Sequence, residues 1–300
     1  MKSLSLNQDQ LKSGRIASEA RQMIISKNIL GNTILEICEM VEKKVEQLGG
    51  EHAFPCNVSL NEAAAHYTAG LGDEGAIKES DLVKIDFGVH VNGYIADTAV
   101  TKSYNSEYES LIQATEESLN NAIGAVRNEV NAGMIGKTIF ETAERWGFRP
   151  ISNLTGHSIE QFQLHAGVSI PNVWIPGTQR LKTGSLYAIE PFLTMKDGAG
   201  EVVEGGEPRI YGLISRRMTG KKQLDCLIDH VWKTRKTLPF TPRWYLDIFN
   251  KNEIKEIIKD LIRMKIIKGY PVLVERKGRI VAQFEHTVMA TDTGAVVITR

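Results

Sequence analysis

Residues 82–101 read LVKIDFGVHVNGYIADTAVT, and this stretch decides the fold class. Val83, Ile85, Phe87, Val89 and Val91 alternate with Lys84, Asp86, Gly88 and His90, the period of two that marks a strand. Asn92-Gly93 breaks the alternation before a second apolar run, and that dipeptide suits a two-residue primed turn because both positions need positive φ. The segment predicts a hairpin in which Gly88 faces Asp97 and Asp86 faces Ala99. All four residues then share one face of the ribbon. The two carboxylates become diagonal neighbours with Cα atoms about 7–8 Å apart. Gly88 and Ala99 are small enough to leave room between them for a pair of ions about 3.5–4 Å apart. Two aspartates converging inside apolar strands point to a site rather than to a solvated face.

Outward from the hairpin, both flanks are helical. Amphipathic patterns cover roughly 7–28 and 33–48, the second with Thr33 and Glu36 in capping-box spacing and Gly49-Gly50 as its stop. The linking segment AFPCNVSLNEAAAHYTAG is small, turn-rich and apolar, the composition of a pocket wall. Helical patterns recur at about 106–130 and 135–146, a second strand-rich block runs from Pro150 to about Met195, and a final hairpin closes the chain. Two blocks of helices plus strands predict an α+β architecture with two similar halves.

Charge sets one stretch apart. The chain has 36 basic and 36 acidic residues, yet residues 1–200 hold 17 against 24 while Arg209–Lys268 holds 15 against 6. This basic stretch has helical texture at 221–236 and 252–267 around an aromatic loop, LPFTPRWY, and reads as a separate unit. No segment approaches 18 uncharged apolar residues, which excludes a membrane-spanning helix, and the start lacks an apolar signal region, so a cytoplasmic protein is expected. Cys38, Cys56 and Cys226 show no metal or redox spacing and are expected to be buried free thiols.

Other chemistry-bearing residues lie in apolar runs. His157 and His165 are eight apart, a spacing that places both on one face of an extended segment. Glu190 and Glu285 sit inside LYAIEPF and AQFEHT, where an unpaired carboxylate is costly and needs a cation, a metal or a proton. Two aspartates, a histidine and two glutamates suit Mn, Fe or Co better than a closed structural zinc.

Taken in order, NEAAAHYT, KIDFGVHVNGYIADTAVT, NLTGHSIE, HAGVSIPN, AIEPF, GYPVL and AQFEHT resemble the type II methionine aminopeptidases in their short, archaeal-like form, over essentially the whole length. The resemblance implies one catalytic domain over 1–300 with the pita-bread fold, two pseudosymmetric α+β halves, and a type II helical insertion at about 200–268. It implies two divalent ions (Co, Mn or Fe) held by Asp86, Asp97, His157, Glu190 and Glu285, with Asp97 and Glu285 bridging. The implied reaction removes the initiator methionine from nascent proteins and peptides when the second residue is small, through a hydroxide that bridges the metals. Glu190 is the expected general base and acid, His165 a donor to the developing oxyanion, and His66 a contact to the scissile nitrogen. Phe54, His165 and Tyr270 are assigned to the methionine pocket, while positions near Ile210 and Pro239 match less closely. A monomer is expected, with the basic insertion docking on ribosomal RNA. Prolidase-like enzymes share the ligand set but carry a sizeable N-terminal domain. A metal-free RNA-binding relative would have lost ligands, and all five stand here.

Overall fold

In the structure, a computed structural model that describes residues 6–300, strands Leu82–Val91 and Tyr94–Ser103 pair antiparallel with Gly88 opposite Asp97 and Asp86 opposite Ala99. Asn92 (φ 50°) and Gly93 (φ 84°) both take left-handed backbone, as the primed turn requires. The hairpin is part of a nine-stranded sheet. Glu51–His52 and Asn57–Leu60 lie along its outer strand, and beyond its inner strand the order runs Glu285–Ala290, Leu186–Ile189, Thr155–Ile159, Ser169–Pro171.

Alternation decides what each face meets. Ile85, Phe87, Val89, Ala96 and Val100 join one core cluster with the helices, leaving Asp86, Gly88, Asp97 and Ala99 on the opposite face. Helices α1 (Gln8–Ser26) and α2 (Ile34–Gln47) accompany the first half of the sheet, and α3 (Glu109–Ala125) and α4 (Ala132–Arg145) the second. Helix α2 starts at the Thr33/Glu36 capping box and buries Ile34, Ile37, Cys38, Val41 and Val45. No helix among the described residues is long and apolar enough to cross a membrane.

The open face of the sheet is closed by Val202–Leu213 and Ile267–Glu275, which pair with each other and, through the second strand, with Ala63–Ala65. Between these two strands lie α5 (Lys222–Arg235) and α6 (Lys251–Arg263). Helix α6 stops short of the expected 267 because Lys265 turns left-handed (φ 55°) and Ile267 already belongs to a strand. The two helices share a core of their own, in which Leu224, Leu227, Ile228 and Val231 meet Ile254, Ile257, Ile258 and Leu261. A buried ion pair between Arg243 and Glu42 ties this unit to α2, and Trp244 Nε1 donates to Glu42 Oε2 at 3.1 Å. Cys38 and Cys56 are buried free thiols, whereas Cys226 is exposed, against expectation. It lies outside the apolar stripe that α5 turns inward.

Candidate metal centre

The five expected ligands converge on one cavity of about 430 Å³. Asp86 and Asp97 come from the hairpin. Glu285 opens the next strand directly opposite Ala99, so it leaves the sheet on their side. His157 pairs with Ala188 one strand further on, and Glu190 follows the strand Leu186–Ile189. His157 Nε2 stands 3.7 Å from Asp97 Oδ2 and 3.5 Å from Glu190 Oε1. One ligand atom each of Asp97, His157 and Glu285 lie within 4.8 Å of one another.

The backbone beneath is fixed by side-chain hydrogen bonds from both faces of the sheet. The Thr287 hydroxyl accepts from Asp97 N–H at 2.7 Å and donates to Asp97 C=O at 2.8 Å, so a side chain replaces a ladder pair at this ligand. Thr98 Oγ1 donates to the Glu285 carbonyl at 2.9 Å. Arg21, buried on α1, donates to Thr98 Oγ1 at 2.9 Å and to the Ala99 and Glu285 carbonyls at 2.5 and 3.3 Å.

Electrostatically the cluster is unfinished. Burial pushes the Asp86 carboxyl up to about 7. Burial, then the neighbouring carboxylates, raise Asp97, Glu190 and Glu285 well above the usual range. Burial, then His165, depress His157 to about 3, which leaves it a neutral imidazole. Asp86 Oδ1, Asp97 Oδ1, His157 Nδ1 and Glu285 Oε1 are buried without a hydrogen-bond partner. Converging acceptors with no protein donor call for a proton each or a shared cation. Several carboxylate oxygens with one imidazole are the donor set of a divalent transition ion, so the residues fit a metal.

The walls hold the remaining expected residues. His165 packs against His157 with ring centres 4.2 Å apart and the planes tilted by 45°. The two do not share an extended segment. The chain reverses after Ile159, Ala166 N–H donates to Ser158 C=O at 2.8 Å, and the returning segment, ahead of strand Ser169–Pro171, brings His165 back over the metal ligands. His66 adopts left-handed backbone (φ 65°), unusual for a side chain of that size. Its Nδ1 lies 3.2 Å from Pro271 C=O and its ring meets Tyr270 edge-on at 5.9 Å. Phe54 explains Gly88. A Cβ there would come within 2.5 Å of the Phe54 ring, so a phenyl group packs directly against the glycine. Ile210 and Pro239 also line the cavity.

Residues 10–292 match the profile of metallopeptidase family M24. A methionine aminopeptidase of Methanocaldococcus jannaschii is 43% identical over 291 residues, 97% of each chain. This chain belongs to the methionine aminopeptidases of family M24. Solved structures of other proteins share its pita-bread fold. A methionine aminopeptidase from Thermotoga maritima superposes with a TM-score of 0.70 at 22% identity over the whole of both chains. A thermophilic Arx1 gives 0.82 at 15% identity, covering 98% of this chain and 91% of its own. As a metallopeptidase of this family, the protein has in its buried Asp/His/Glu cluster the means to bind divalent metal.

Four further polar residues meet the site without having been singled out in the sequence. Asn57 lies opposite Asp86 on the outer strand. Gln283 Nε2 lies 3.5 Å from Glu190 Oε2. Thr287 holds Asp97, and Lys268 lines the cavity. Thr287 follows Glu285 at i+2 on its strand, a parity that could have flagged it, whereas Gln283 ends the preceding strand, Val281–Gln283.

Proposed function

We propose that the chain removes the N-terminal methionine from nascent polypeptides and peptides whose second residue is small: Gly, Ala, Ser, Thr, Pro or Val. The observation that carries this reading is the convergence of unpartnered buried Asp86, Asp97, His157 and Glu285 atoms on the floor of a cavity walled by His66 and His165. Asp86, Asp97, His157, Glu190 and Glu285 would hold two divalent ions, Co, Mn or Fe. When bound, such ions supply Lewis acidity toward the scissile carbonyl and a water that ionises near neutral pH.

The chain's own residues supply the rest. Glu190, whose buried carboxyl holds a proton more tightly than a free one, takes the proton of the attacking water and passes it to the leaving amine. His165 is kept neutral by burial, then by the charges of His66 and Lys268, so it retains one N–H to donate to the oxygen on which negative charge develops. His66 contacts the departing nitrogen. Phe54, Tyr270 and His165 hold the methionine side chain. A methionine side chain held there takes up part of a cavity of about 430 Å³, which supports a filter for small second residues. Residues 1–300 act as one catalytic domain and monomer in the cytoplasm, with 200–268 as an insertion. The surplus of basic residues there supports docking on ribosomal RNA, with binding that weakens steeply as salt rises.

The test is metal analysis of protein purified without added cobalt, together with hydrolysis of Met-Ala-Ser and Met-Lys-Ser. Rapid release of methionine from the first peptide alone is expected. Comparable rates on both would sink the size filter, and no release from either would sink the reaction.

A further inference from the structure

The floor of the cavity is buried and acidic, whereas its mouth carries one exposed cation. Lys268 sits two residues before Tyr270 on Ile267–Glu275, so both side chains leave the same face of the strand, and both line the cavity. Its Nζ stands 4.9 Å from the centre of the Tyr270 ring. Register fixes this wall: Tyr270 lies opposite Ile210 and Lys268 opposite Gly212. A Cβ at residue 212 would come within 2.9 Å of the Tyr270 hydroxyl, so the glycine leaves the space the ring occupies. Of the residues that line the cavity, Lys268 alone is a lysine or arginine. Other cations of the same basic stretch are already engaged: Arg209 with Asp73, Arg243 with Glu42 and Lys221 with Asp260. Among the described residues Lys268 has no ion-pair or hydrogen-bond partner, and its ammonium lies over the Tyr270 ring.

If methionine occupies the depth of the cavity, the peptide leaves through the mouth, where Lys268 meets whatever follows the small second residue. We propose that Lys268 reads the charge of the substrate at its third and fourth residues, favouring a carboxylate side chain over an ammonium or guanidinium group. The inference rests on the methionine aminopeptidase reading. A solvent-exposed pair of charges several ångströms apart changes kcat/KM by a few-fold for each sign. Glutamate is therefore expected to exceed lysine by about 10-fold at low salt, and the ratio narrows as the Debye length shortens.

The experiment uses the full chain loaded with Mn and C-terminally amidated pentapeptides Met-Ala-Ser-X-Gly, with X as Glu, Gln or Lys, and the same series varied at the third residue. Wild type should rank Glu above Gln above Lys. Lys268→Glu should invert the order and Lys268→Met should flatten it, while Lys255→Met, on α6 outside the cavity, should keep the wild-type ratio. The ratio is read within each variant, so a change in the amount of folded or loaded enzyme does not affect it. Comparing free-acid with amidated Met-Ala-Ser separates a terminal carboxylate from a side chain. A preference seen only with the free acid would overturn the side-chain assignment. Equal rates for Glu and Lys, or a Lys268→Glu variant that keeps the wild-type order, would overturn the role of Lys268 and leave the reaction standing. Cleavage of no peptide would overturn both.

Discussion

Two sets of buried carboxylates in this molecule meet opposite fates. Glu42 is buried beside Arg243 and Trp244, whose hydrogen bonds and charge outweigh burial and hold it below the usual carboxylate range. Glu275 is buried too, and backbone N–H groups of Arg279, Ala199, Lys277 and Gly200 likewise keep it ionised. The carboxyl groups of Asp86, Asp97, Glu190 and Glu285 are also withdrawn from solvent yet face one another, and they are driven upward. The difference lies in who supplies the positive partner. The protein completes the first set itself and leaves the second to be completed from outside, so burial alone does not separate a structural carboxylate from a functional one; the donors around it do.

The contrast can be broken most severely at the second set. Asp97→Ala or Glu285→Ala should abolish both metal binding, measured by calorimetry with Mn, and turnover. A variant that still binds metal at full stoichiometry would remove that residue from the centre. Glu42→Ala should behave in the opposite way. Stranding Arg243 should cost about 3–5 kcal/mol of stability in denaturant unfolding while metal stoichiometry stays unchanged. Next in size come the wall histidines. His66→Ala and His165→Ala should lose about 10²-fold in kcat with metal retained, and a metal-free His165→Ala protein would refute its role as a donor.

The gentlest probe is pH. In metal-free protein the Asp86 carboxyl is raised from 3.8 to about 7. Between those values the folded chain holds a proton that the unfolded chain has released, so stability falls as pH rises, by up to about 1.4 kcal/mol per pH unit for each such group. Thermal melts in chelator should therefore drop from pH 5 to pH 7, and adding Mn should remove or reverse the slope. A slope of the same sign and size with metal bound would mean that the raised carboxyls are not the ones that meet the ion.

The hairpin was legible because everything that fixes it is local: alternation sets the faces, Asn92-Gly93 sets the turn, and the register of Asp86 against Ala99 follows. Glu190 and Glu285 stood out because a carboxylate inside an apolar run has few structural excuses. What could not be read depends on distant chain. The space above Gly88 is taken by Phe54, which arrives from a segment 34 residues earlier. His157 and His165 meet through a reversal at Phe162, whose left-handed backbone (φ 56°) no alternation pattern announces. The exposure of Cys226 depends on which face of α5 the insertion core claims. Lys268 reads as one more charge in a basic stretch until the pairing with Val202–Leu213 turns it toward the cavity.

Strand Glu285–Ala290 lies between Tyr94–Ser103 and Leu186–Ile189, pairing with both. The keystone of the sheet therefore leaves the ribosome after both of the strands it joins. Until it emerges, the two earlier halves have no strand to join them, and the centre lacks Glu285 together with the Thr287 hydroxyl that fixes Asp97. Synthesis order thus acts as a timer: a chain still under construction has neither a continuous sheet nor a finished ligand set, and the two are completed in the same step.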